Sequence, residues 1–244
     1  QRFATTTNAA TGDPLTAASI VGGAVTPDGS LLYALDSTGD QVLVFDTATA
    51  ARTATVPLDH PPTDVAFAPD GTTAYVANGA AITVIAVASS TVTATLAPGI
   101  AVQRLAVATD GTTLYASAAD GVHVHAAGAW STVGPANAGD LALSPDGETL
   151  YVVGTDSVTP IATATAAPGA PFTATGATTL AVAPDGTAVY VGTGTGAILA
   201  RRAGGTTVIA TAATSIAALD LRPDGTALYA ATAAGVLRSG EHTS

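Results

Sequence analysis

The charged residues that could do chemistry stand at repeating positions along the 244-residue chain. Asp64, Arg104 and Asp140 each lie six residues before the Asp of an Asp-Gly pair, and Asp220 lies four before another. Residues at such equivalent positions converge when repeats are arrayed about an axis. Alternating carboxylate and guanidinium groups there admit two readings. One is an acidic funnel gripping a cation or a sugar, with Arg104 orienting a carboxylate. The other, which the residue types favour, is a rim of structural salt bridges. Asp220 stands where the preceding copies carry alanine, Ala24, Ala66, Ala106, Ala142 and Ala181, and it is placed to pair with Arg222 or bind a water.

His123 and His125 are spaced two apart on an expected strand, which points both rings to one face. Two such imidazoles can share a metal, but a site needs a third or fourth ligand, and Asp120 is the nearest. The chain has only four His, so a polar strand edge is the expected role. No cofactor is expected; a cation at the convergence point is compatible with the acidic residues. Trp130, the sole tryptophan, falls on an expected outer strand, packed there or stacking on carbohydrate. Nucleophilic catalysis finds no support, since no Gly-x-Ser-x-Gly elbow occurs. The run Gly192-Thr193-Gly194-Thr195-Gly196 has no Lys and no expected helix after it, so it reads as a hairpin loop and not a phosphate cradle. The only two glutamates, Glu148 and Glu241, sit outside the strands that should line the axis.

The repeat that positions these residues is marked by tyrosine. All six tyrosines follow the Asp of an Asp-Gly pair by five residues: Asp28/Tyr33, Asp70/Tyr75, Asp110/Tyr115, Asp146/Tyr151, Asp185/Tyr190 and Asp224/Tyr229. By subtraction the aspartates are 42, 40, 36, 39 and 39 residues apart. A period near forty with short strands between turns signals four-stranded propeller blades. In the clearest copy an apolar strand meets Pro69-Asp70-Gly71, where Pro fixes φ and Gly supplies the left-handed residue of a tight hairpin. Strands are expected at 72–78, 82–87 and 91–96, before Pro98-Gly99 breaks the pattern. Thr109 replaces the turn proline in the third copy. The repeated tyrosines read as wedges between neighbouring sheets, each hydroxyl finding a polar partner.

The fold expected is therefore all-β, a single six-bladed β-propeller of four-stranded antiparallel blades over 1–244. Blades should begin near 20, 63, 103, 139, 178 and 217. The last copy lacks a fourth strand, and region 1–19 is expected to supply it and close the ring, since closure removes exposed sheet edges.

The repeats at 24–56 and 63–96 resemble the YVTN-type β-propeller repeat. Tyr75-Val76-Ala77-Asn78 carries one element of that pattern and Val44-Phe45-Asp46-Thr47-Ala48-Thr49 another, while Tyr151-Val152 and Tyr190-Val191 keep part of it. The resemblance implies a propeller. Its relatives include surface proteins, sensor domains, chaperone-like periplasmic proteins and lactonase-like enzymes, so it leaves function open.

Composition narrows the partners. A formal net charge of -11 with seven Arg and no Lys disfavours nucleic acid and anionic membranes. A protein or carbohydrate partner fits better. No apolar run is long enough for a membrane span. With no Cys there is no disulfide framework. With no Met, the chain reads as a processed form or as part of a larger protein or assembly. A secreted or cell-surface location is expected. The reading that results is a non-catalytic binding or scaffold propeller; the alternative is a lactonase-like metal-dependent hydrolase using Asp64, Asp140 and Asp220.

Overall fold

A computed structural model describes residues 2–3, 10–11 and 19–239. The fold is all-β, six small antiparallel sheets of the propeller-blade type, with no helix among the described residues. The chain divides into two compact units, Gln1–Leu96 and Ala97–Ser244.

The first unit holds two four-stranded blades. Blade 1 comprises Ile20–Val25, Leu31–Asp36, Gln41–Asp46 and Arg52–Pro57; blade 2 comprises Pro62–Phe67, Thr73–Asn78, Ala81–Ala86 and Thr91–Leu96. In each, the strands pair in sequence order, as short hairpin connections dictate. One face of blade 1 packs on blade 2 through Leu35, Val42 and Val44 against Val65, Val76 and Ile85. Tyr33 is fully buried in that layer, its ring edge-on to Phe67 of blade 2 with centroids 5.0 Å apart. It is the inter-sheet wedge the repeat predicts.

The second unit holds four blades. Blade 3 comprises Arg104–Val107, Leu114–Ala118, Gly121–Ala126 and Ala129–Val133. Blade 4 comprises Leu141–Leu143, Thr149–Gly154 and Ser157–Ala162, its outer position filled by two fragments, Ala167–Pro168 and Phe172–Thr173, that both pair with the third strand. Pro168 and Pro171 flank the gap between these fragments, and proline cannot donate to a ladder. Blade 5 comprises Ala177–Val182, Val189–Thr193, Ala197–Arg202 and Gly205–Thr211; blade 6 comprises Ile216–Leu221, Leu228–Thr232 and Gly235–Arg238. The second strands of blades 1 to 5 are largely buried on both faces, Leu114–Ala118 entirely so, which explains their unbroken runs of apolar and small residues.

The predicted turns all form. In each of the six Asp-Gly pairs that precede a tyrosine the glycine has φ between 71° and 75°, the left-handed region that favours glycine. Its amide donates to the carbonyl three residues back, as Gly71 does to Ala68 at 2.9 Å. The aspartate accepts the amide two residues on, 2.9 Å for Asp70 and Thr72, in an Asx turn. Successive turns tile within each unit: Gly71 lies against the Pro27 ring, Gly186 against Pro145 and Gly225 against Pro184. At the one such junction lacking proline, Gly147 faces Thr109.

Blade 6 has three strands among the described residues. The closing segment expected from 1–19 lies mostly outside them. The two pieces described, Arg2–Phe3 and Ala10–Thr11, pair with each other.

Candidate functional site

The first strand of each blade carries the residues singled out by spacing. In the second unit these come together in a definite way. Asp140, at the entry to the first strand of blade 4, is half-buried. Its Oδ2 accepts the Thr179 hydroxyl at 2.7 Å and the Leu180 amide at 2.9 Å, both on blade 5. Its Oδ1 accepts the Leu141 amide at 3.0 Å and faces Arg104 Nε of blade 3 at 3.8 Å. One carboxylate therefore touches three consecutive blades. Arg104, Asp140 and Thr179 occupy the same repeat position in those blades, which is why a position-by-position register brings them together.

The next junction is bridged differently. The Thr178 hydroxyl of blade 5 donates to the Ile216 carbonyl of blade 6 at 2.7 Å. Thr179 is buried and uncharged, and its equivalence to Asp140 in the repeat is the signal that could have found it.

Asp64 lies in the first unit, half-buried on the first strand of blade 2, its backbone paired with Ala77. Asp220 lies on the first strand of blade 6, opposite Tyr229, and is exposed. Its Oδ1 accepts the Leu221 amide at 2.8 Å. Desolvation by surrounding protein nonetheless raises its carboxyl above the usual range, outweighing that hydrogen bond. The pairing expected between Asp220 and Arg222 does not occur: Arg222 Nη2 reaches Asp224 Oδ2 at 3.1 Å instead. Side chains two apart on a strand can meet, but the turn places Asp224 closer to the guanidinium.

His123 and His125 occupy the third strand of blade 3, between the second and fourth. The strand is internal to its sheet, so the exposed edge expected for these residues is not what forms. His123 is buried, with Nε2 2.8 Å from Asp120 Oδ1. Trp130, on the fourth strand, lies across from both rings at centroid distances of 6.3 Å and 4.8 Å. The pair and its nearest carboxylate thus form a cluster of edge-on and tilted imidazole and indole rings closed by one hydrogen bond. Among the described residues, no three His, Cys, Asp or Glu side chains are grouped to hold a metal ion.

The tyrosine hydroxyls differ in their partners. Tyr190 accepts from Arg202 Nη2 at 3.3 Å, whereas the Tyr229 hydroxyl is buried with no partner among the described residues, under the Arg238 guanidinium. No helix among the described residues is long and apolar enough to cross a membrane.

Comparison with known proteins agrees with this architecture. Two solved structures superpose over most of the chain. One is titled Kuenenia stuttgartiensis Hydrazine Synthase, at 20% identity and TM-score 0.76, covering 92% of this chain and 77% of that one. The other is titled Crystal Structure of Mitotic Checkpoint Complex, at 19% identity and TM-score 0.79, covering 90% of this chain and 73% of that one. At such identities the likeness is one of fold. No curated protein matches the sequence. Six blade sheets form among the described residues, one fewer than the family's description counts, but the family match runs over residues 23–154, more than half the chain: the chain belongs to the family described as Lactonase, 7-bladed beta-propeller.

Proposed function

We propose that this chain is a non-catalytic binding or scaffold propeller of the YVTN-repeat type, working outside the cytoplasm. The observation that carries the reading is the commitment of Asp140. Both of its oxygens accept hydrogen bonds, and Arg104 stands at its remaining side. With its side chain only 18% exposed and a guanidinium beside it, a carboxylate so occupied holds blades in register and has little capacity left for a metal or a substrate proton. What the blades then offer is surface, rich in Thr and Ser and acidic overall, suited to a basic protein segment or a carbohydrate.

A second reading, lactonase-like hydrolysis with a metal at the first strands, is favoured by the family match and by Asp220. That carboxylate accepts one hydrogen bond, is exposed and has a raised pKa, features a general base could use.

Lactone turnover, measured on the purified chain with and without added divalent metals, separates the two. The binding reading expects no turnover above buffer. Metal-dependent turnover that disappears in Asp220→Asn would overturn it.

A further inference from the structure

Between blades 3 and 4 the second unit opens a cleft of about 460 Å³. That is within the size range of small-ligand sites. Its floor is made by Tyr115, Val124 and Val133 of blade 3 and Ile161 of blade 4, with Asp110 at the rim. The cleft borders the Thr109 turn, the only one of the six with no proline before its Asp-Gly pair.

The electrostatics of the lining are one-sided. Asp110 is its only carboxylate, and no Arg or His lines it. Asp110 is held below the usual carboxylate range: desolvation opposes ionisation, but the amides of Thr113 and Thr112 and the Thr113 hydroxyl outweigh it. Its charge reaches the wall, for it adds to burial in raising the Tyr115 phenol. An aliphatic floor beneath an ionised rim matches a side chain with a long apolar stem and a cationic head.

The cleft also runs beside an accessible backbone. The fourth strand of blade 3, Ala129–Val133, is the edge of its sheet and contributes Ser131 and Val133 to the lining. An extended peptide laid along such an edge can pair with it while alternate side chains enter the cleft.

We propose that this cleft binds an extended segment of a partner protein, taking a lysine or arginine side chain over Val124, Val133 and Ile161 with its cation at Asp110. The proposal rests on the binding-module reading and names the chemistry of the partner.

The test uses short fluorescent peptides with one central lysine, and the same peptides with norleucine there. Asp110→Asn keeps the Oδ1 acceptor for the turn amides and removes the charge together with the acceptor of the Thr113 hydroxyl. Asp146→Asn makes the same change in blade 4's own turn, whose carboxylate is not part of the lining. Ser131→Arg places a tethered guanidinium at the mouth. The lysine peptide should bind the parent chain, weaken by about tenfold in Asp110→Asn, fail in Ser131→Arg, and be unchanged in Asp146→Asn. The norleucine peptide should bind parent and Asp110→Asn equally weakly. No binding of the lysine peptide, equal binding to parent and Asp110→Asn, or equal loss in Asp146→Asn would overturn the proposal. Those results leave the binding-module reading standing; only lactone turnover removes that.

Discussion

Asp140 of blade 4 accepts the hydroxyl of Thr179 of blade 5 at 2.7 Å, joining residues 39 apart that hold the same position in successive repeats. The bond shows how a repeat protein can use one position for cohesion: a carboxylate in one copy meets a donor in the next. It also separates strong from weak contacts in the same cluster. The Arg104 side chain is nearly half exposed and 3.8 Å from Asp140, a pair of the kind that contributes little in water. Arg104→Ala should change unfolding free energy by under about 1 kcal/mol, measured by denaturant titration.

Gly192, on the second strand of blade 5, lies where Ile216 of blade 6 approaches closely. A methyl added there would sit 2.5 Å from Ile216 Cγ2 and 2.8 Å from Thr179 Cγ2. Ile216 is fully buried, so neither neighbour can swing into solvent. Gly192→Ala should destabilise by about 1–3 kcal/mol through overpacking. Pairing it with Thr179→Ser, which removes the Cγ2 methyl and keeps the hydroxyl that donates to Asp140, should recover part of the loss in thermal melts.

Tyr33 tests the wedge. Its ring is fully buried between blades 1 and 2, against Phe67. Tyr33→Ala should cost about 3–5 kcal/mol, the range for removing a buried aromatic. A loss under about 1 kcal/mol would mean the ring is not a packing element.

Acid should weaken the fold in a defined window. The turn carboxylates of Asp28, Asp70, Asp146, Asp185 and Asp224 are all held below their ordinary value by hydroxyl and amide donors of their own turns, Asp28 down to about 2. A folded pKa below the unfolded one gives stability that is complete above about pH 4 and lost as pH falls toward the folded value. Melting temperature should therefore hold steady down to about pH 5 and decline below about pH 4. Asp70→Asn, which keeps an acceptor for Thr72, should make that decline shallower.

Much of the fold was legible because local chemistry and long-range packing agree. Asp-Gly, preceded by proline in five of the six copies, fixes the first hairpin of each blade, and the tyrosine five residues on states which face is buried, so blade order follows from spacing alone. The site was less legible. Spacing placed Arg104, Asp140 and Thr179 in one row, but a hydroxyl draws no attention in a chain so rich in threonine. His123 looked like an edge residue because polarity suggests exposure; its hydrogen bond to Asp120 and contact with Trp130 make burial tolerable. Arg222 turned to Asp224 because a turn geometry, invisible in a one-dimensional pattern, set the shorter path. The cleft was foreshadowed only by Thr109, where a missing proline leaves no pattern to read.

The central claim is that the first-strand acidic residue of blade 4 is spent on joining blades. A double-mutant cycle of Asp140→Ala and Thr179→Val, followed by equilibrium unfolding of the whole chain, measures that directly. The account predicts a coupling of about 1.5–3 kcal/mol, as for a hydrogen bond to a charged group. Additivity of the two losses to within about 0.5 kcal/mol would contradict it.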